Sequence, residues 1–226
     1  MIALSRRFHW PNRAPSPDAP YSYTSHRDDL LRYLMPRGRP VYLIGHSWGA
    51  GVVLLAALQE PSLVHALVLI EPAFHSFLPD DGPALQAETA SRSALLSMVQ
   101  KQAAAGRDED AARALVDWLQ GGPGGFDGLP AGVRSALLEN AATVGPTFSQ
   151  DAPALACDAL QALTLPALVL NGARTRLYYR LIGERLASCL PAGAHQTIPD
   201  AAHMTIVERP AETAAIISSF LARAQT

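Results

Sequence analysis

Val41–Ile44 is an unbroken apolar run of strand length, and Ala66–Ile70 is a second one. Runs without polar alternation mark strands buried on both faces, as in a parallel sheet covered by helices. Ala167–Leu170 repeats the pattern, and His195–Ile198 supplies a fourth candidate. Helical patterns separate these runs: from about Trp48 to Gln59, about Tyr178 to Leu190 and about Ala211 to Ala224. Upstream, Ile2–Ser5 reads as a short strand, followed by a proline-rich loop from Pro11 to Pro20. Ser25 is placed to cap a helix with Asp28 and Asp29 in its positive first turn. Leu30, Leu31 and Leu34 give that helix its apolar stripe, and Pro36–Pro40 ends it.

The middle of the chain, from about His75 to Leu163, differs. Helical patterns cover Ala94–Ala104, Glu109–Leu119 and Val133–Ala142, with breaks at Gly121–Gly125 and Gly145–Pro146. No strand run occurs there. Strand–helix alternation interrupted by a helical insert predicts a mostly parallel α/β sheet, helices on both faces, and a cap. Residues 1–74 and 164–226 form the expected core, and residues 75–163 the expected helical cap.

Composition narrows the class. The chain has 226 residues, 49% of them hydrophobic and 17% charged, enough for one large core. Its net charge of -2 lacks the basic stripe that phosphate binding needs, so no nucleic-acid partner is expected. No apolar run reaches the ~18 residues of a membrane span. MIALSRRFHWPN lacks the apolar stretch of a signal peptide. Cys157 and Cys189 match no metal-ligand spacing; they could pair, but nothing requires it, and they read as free thiols in a reducing cytoplasm. A soluble, cytoplasmic protein is the expectation; the residues indicate no oligomeric state.

The candidate chemistry sits where the first buried strand meets a helix, at Gly45-His46-Ser47-Trp48-Gly49. G-x-S-x-G in that context predicts a nucleophile elbow, a strained turn that lifts the serine hydroxyl above the carboxyl edge of the sheet. Gly45 and Gly49 are expected where neighbouring chain passes too close for a side chain. The same turn aims the Trp48 N–H and the positive helix end at one point, an oxyanion site. Serine is a weak nucleophile alone and needs a base, which in turn needs an orienting acid. His46, adjacent to Ser47, reads as packing; His65 and His195 read as structural.

GHSWG and the elements around it resemble the α/β-hydrolase superfamily, over almost the whole chain. The resemblance implies a chain order of serine, acid, histidine. His203, in Asp200-Ala201-Ala202-His203 after the last strand, then falls at the base. The family's usual aspartate position, after Ala167–Leu170, holds Thr175, which cannot carry the charge that stabilises an imidazolium. The other family position for the acid, the end of the preceding strand, holds Glu71. The resemblance further implies that Ile2–Ser5 corresponds to the fourth strand of an N-terminally truncated fold. The loop that donates the second oxyanion N–H would precede it. Ile2–Ser5 is then expected to pair with Val41–Ile44, and the chain to be poorly soluble and weakly active.

The expected function is a serine hydrolase that cleaves a small ester or related acyl compound through an acyl-enzyme on Ser47. His203 is the base, Glu71 the acid and Trp48 N–H the oxyanion donor. No metal or organic cofactor is called for. Acyl transfer or perhydrolysis would use the same residues. An inactive hydrolase-like fragment or a ligand-binding protein is the competing reading. Arg6 and Arg7, at the same sheet edge, read as solvated rather than as contacts for a substrate carboxylate. Among Phe74, Phe77, Trp118, Phe126 and Phe148, some are expected to line an apolar pocket.

Overall fold

The computed structural model describes residues 1–12, 20–78, 82–149 and 153–224. Most of the proline-rich loop, residues 13–19, lies outside that set. Four parallel strands form one sheet in the order β1 (Val41–His46), β2 (Val64–Ile70), β3 (Ala167–Gly172), β4 (Gly193–Ile198). The four runs from Val41 onward became strands, extended by up to two residues at an end.

Side-chain alternation sorts the sheet residues to two faces. Leu67, Leu69 and Val169 join the larger core, with α1 (Tyr23–Leu34), α2 (Trp48–Gln59) and α8 (Leu177–Cys189). Ala66, Val68, Ile70, Leu168 and Leu170 face the other way, with Phe220, Ile216 and Ile217 of α10 (Pro210–Arg223). Helix α2 is buried almost all round, from Ala50 to Ala57. Its packing against the sheet fixes the strand–helix turn at Ser47.

Between β2 and β3 the described residues form helices only: α3 (Pro83–Ala104), α4 (Asp108–Leu119), α5 (Ala131–Glu139), α6 (Val144–Thr147) and α7 (Cys157–Leu160), with 3₁₀ turns. The short helix α9 (Thr205–Glu208) precedes α10.

Three expectations are corrected. Ile2–Ser5 is not a strand: it has no regular structure, and Ile2 and Leu4 are exposed. The Ser5 hydroxyl and carbonyl are engaged locally. Asn12 Nδ2 donates to the carbonyls of Ser5 and Arg6, and Ser5 Oγ donates to those of His9 and Trp10. Arg7 then ties the segment to Asp29 on α1. Strand β1 therefore pairs only with β2 among the described residues, and Ile44 beside its open edge is 40% exposed.

The first helix starts earlier than Ser25. Ser22 is its N-cap, and Ser25 at the third position completes a capping box, so Asp28 and Asp29 lie beyond the first turn. Cys157 and Cys189 are not free thiols; they form a disulfide between α7 and α8, with Cα atoms 4.9 Å apart. That removes the ground on which a reducing compartment was expected. No helix among the described residues is long and apolar enough to cross a membrane.

Candidate active site

Strand register assembles the site. His46 pairs with Ile70, and Ile70 with Leu170, so the residues that follow β1 and β2 emerge together at the carboxyl edge of the sheet. Those residues are Ser47 and Glu71. Gly172 pairs with Ile198, which brings in the loop of Asp200 to His203 two residues later.

Ser47 has φ 52° and ψ -121°, a left-handed conformation that a non-glycine residue adopts only under constraint. The constraint is visible. Ser47 N–H donates to Ile70 O at 2.8 Å, and Ser47 O accepts from Ala50 N–H at 2.9 Å. Gly45 is required, because a Cβ there would lie 2.5 Å from Gly49 O and 2.6 Å from Val53. Gly49 is not required for that reason: a Cβ on it would meet nothing within 4 Å, since that side opens toward the cavity. The close approach expected of both glycines exists at one. A second unforeseen one is Gly51, whose Cβ would strike Tyr23.

Trp48 begins α2, where backbone N–H groups have no intrahelical acceptor. Its indole is packed on both residues: the Tyr23 ring stacks at 4.2 Å, and the Arg6 guanidinium lies 4.6 Å from the indole centre.

His203 is 1% exposed and Glu71 fully buried. His203 Nδ1 lies 3.2 Å from Glu71 Oε2, so the Nδ1–H tautomer donates to the carboxylate. Nε2 has no hydrogen-bond partner among the described residues, and His203 shares a cavity wall with Ser47. Glu71 itself has φ 50° at the end of β2. Its Oε1 accepts from Gly172 N–H at 2.6 Å, and its Oε2 from Thr175 Oγ1 at 2.6 Å. Thr175, standing at the family's aspartate position, thus holds the glutamate rather than replacing it.

The histidine loop is pinned from several sides. A Cβ on Gly172 would lie 2.3 Å from the carbonyl oxygens of Ala201 and Ala202. Glu208 accepts from Ala202 N–H with both oxygens and pairs with Arg174 at 3.1 Å. His46 Nε2–H donates to the His203 carbonyl at 2.8 Å. Burial, then the neighbouring His203, lowers His46 to about 4, so it is neutral. The packing role expected of His46 is therefore a specific one. Tyr179 lies against His203 at 4.4 Å, and burial pushes its phenol well up. His195, in β4, bonds Asn171 and stays away from the cavity.

The cavity, about 320 Å³, lies between the sheet edge and the helices that follow β2. Leu96, Leu115, Val116 and Leu119 supply much of its apolar wall. Of the five aromatics expected there, Phe148 lines it. Phe74, Phe77 and Phe126 are buried elsewhere, and Trp118 stacks under Arg176 while its indole N–H donates to Ser91. The lining aliphatics were missed because a helix repeat does not say which stripe meets a cavity and which meets another helix. Glu208 carried no signal, since one carboxylate in a C-terminal helix reads as solvated. Among the described residues, no cluster of His, Cys, Asp or Glu could hold a metal.

Comparisons with known proteins agree with this architecture. A family model described as "Alpha/beta hydrolase family" matches residues 2–216. The sn-1-specific diacylglycerol lipase ABHD11 of Mus musculus is 26% identical over 236 aligned positions, covering 92% of this chain and 67% of the lipase. Among solved structures, MenH from S. aureus superposes with a TM-score of 0.72 at 18% identity, over 99% of this chain and 83% of that one. The carboxylesterase CesB from Bacillus subtilis does so at 0.69 and 16%, over 93% and 70%. The family match spans nearly the whole chain, which belongs to the alpha/beta hydrolase family.

Proposed function

We propose that this protein is a serine hydrolase that cleaves a small ester or related acyl compound through an acyl-enzyme on Ser47. One observation carries the reading. His203 spends its Nδ1–H on the buried Glu71 and leaves Nε2 without a partner in a cavity it shares with Ser47. An imidazole so oriented is a base awaiting a hydroxyl proton.

The steps follow from the groups present. Ser47 Oγ adds to the acyl carbon as its proton passes to His203 Nε2. The resulting oxyanion is met by Trp48 N–H and the positive end of α2. Glu71 stabilises the imidazolium without taking its proton. His203 then gives that proton to the departing alkoxide, which leaves as the alcohol. Water, deprotonated by His203, attacks the acyl-enzyme and releases the carboxylic acid and Ser47. Residues 75–163 act as a cap that supplies the apolar wall for the acyl chain.

Hydrolysis of 4-nitrophenyl butyrate tests the reading. Ser47→Ala should lower kcat/KM by about 10⁴-fold or more, to the level set by binding alone. Turnover that survives the substitution would remove Ser47 from the reaction.

A further inference from the structure

The sequence places Arg6 and Arg7 together, and the structure separates their fates. Arg7 forms a two-bond pair with Asp29 at 2.5 and 2.6 Å. Arg6 turns inward and lines the cavity with Ser47 and His203, correcting the expectation of a solvated side chain. It has no carboxylate partner among the described residues.

Neutral groups hold Arg6 instead. Its Nη2 donates to His9 Nε2 at 2.8 Å. His9 can accept because its Nδ1–H is spent on Arg7 O at 3.1 Å. Burial first, then Arg6 itself, lowers His9 to about 4, so it brings no competing charge at neutral pH. The Arg6 fork is braced by the Trp48 ring. Nη1 is buried and has no hydrogen-bond partner among the described residues. Burial pulls the guanidinium's pKa down, the mark of a charge lacking a counter-ion.

A second arginine reaches the same cavity from a separate element. Arg92 of α3 lines it, near the Tyr178 ring at 5.0 Å. The acid one turn earlier, Glu88, is already taken by Arg176 at 2.6 and 2.8 Å. Both Arg6 and Arg92 act on the phenol of Tyr23, another lining residue. Among the described residues, the cavity wall contains these two arginines and no aspartate or glutamate.

Buried charges in proteins are normally paired, and a desolvated guanidinium with an idle N–H is costly to maintain. A cavity with an aliphatic wall and two arginines that no carboxylate among the described residues pairs is complementary to an amphiphilic anion. We infer that the substrate carries a carboxylate besides its scissile acyl bond, and that Arg6 and Arg92 bind it while Ser47 attacks the acyl carbon. This specificity rests on the hydrolase reading above. The cations themselves form a carboxylate site whether or not Ser47 is competent.

Two esters with one leaving group test this: mono-4-nitrophenyl glutarate, which ends in a carboxylate, and 4-nitrophenyl pentanoate, which does not. The wild-type protein should favour the glutarate ester in kcat/KM by about tenfold or more, the worth of a charge-assisted bond in a dry site. Arg6→Gln and Arg92→Gln should each reduce the ratio of the two rates by about tenfold, and Arg6→Lys should keep part of the preference. Titration calorimetry with glutarate gives a readout free of catalysis. Binding should weaken in both glutamine variants, with circular dichroism checking that they fold. A wild-type ratio of one or less, or a ratio that both glutamine variants leave unchanged, overturns the inference. If neither ester turns over, the hydrolase reading fails and calorimetry decides. Glutarate binding that depends on Arg6 and Arg92 then sustains the anion site, and its absence or indifference to both overturns it.

Discussion

Thr175 Oγ1 donates to Glu71 Oε2 at 2.6 Å, the same carboxylate oxygen that faces His203 Nδ1 at 3.2 Å. Glu71, the proposed acid, and Thr175, its brace, follow two adjacent strands, β2 and β3. Each stands at one of the two positions where a triad acid is found in this fold.

The ranking of the two residues follows. Glu71→Gln keeps the shape but offers no charge and can present an N–H to His203, favouring the wrong tautomer; kcat should fall about 10³–10⁴-fold. Thr175→Ala removes one bond to a carboxylate that retains Gly172 N–H, and kcat should fall about tenfold. Steady-state kinetics on one ester gives both values. The reverse order would move the acid role to the loop after β3.

Stability should depend on pH through buried neutral histidines. Burial holds His9, His26 and His46 each down to about 4. In the unfolded chain they titrate near about 6.5. Between those values the unfolded state binds protons that the folded state does not. Stability is therefore full above the unfolded value and falls as pH drops toward about 4. Urea midpoints should decline through this window, and His46→Gln should make the decline shallower. An unchanged slope would mean that His46 titrates as it does in water.

Much of the site was legible because chemistry and element ends coincide in the sequence. Ser47 lies between an apolar strand and an unbroken helix, and Glu71 directly follows a run that can only be a buried strand. The first segment was misread for the opposite reason. Ile2–Ser5 is apolar enough for a strand, but Ser5 bonds to Asn12, His9 and Trp10, contacts that no hydropathy pattern records. Arg6 was misread because two adjacent arginines look alike until the fold gives one of them Asp29. The disulfide was not fixed by the residues because Cys157 and Cys189 are 32 positions apart, and only the docking of α7 on α8 brings them together.

The histidine loop should depend on Glu208. With both its oxygens on Ala202 N–H and a pair to Arg174, it fixes the residue before His203. Glu208→Ala should lower kcat about tenfold with little change in KM, because the substrate cavity is untouched while the base loses its support. A change confined to KM would place Glu208 in substrate binding instead.

The open edge of β1 should make the protein associate. Ile44 is 40% exposed on a strand edge that has no partner strand among the described residues. Such edges recruit other strands, and a lysine beside them discourages it. Light scattering should show aggregates growing with protein concentration, and Ile44→Lys should suppress them. A wild-type chain that stays monodisperse throughout would show that the edge is already blunted.

Covalent capture by a fluorophosphonate, followed by intact-mass and peptide mapping, tests the central claim most directly. Phosphonylation needs a serine whose proton can leave to a base, so it tests the proposed roles of Ser47 and His203 without any guess about substrate. A single adduct on Ser47 is predicted, forming at least about 10²-fold more slowly in His203→Ala. No adduct, an adduct on another residue, or labelling of Ser47 at the wild-type rate without His203 would contradict the account.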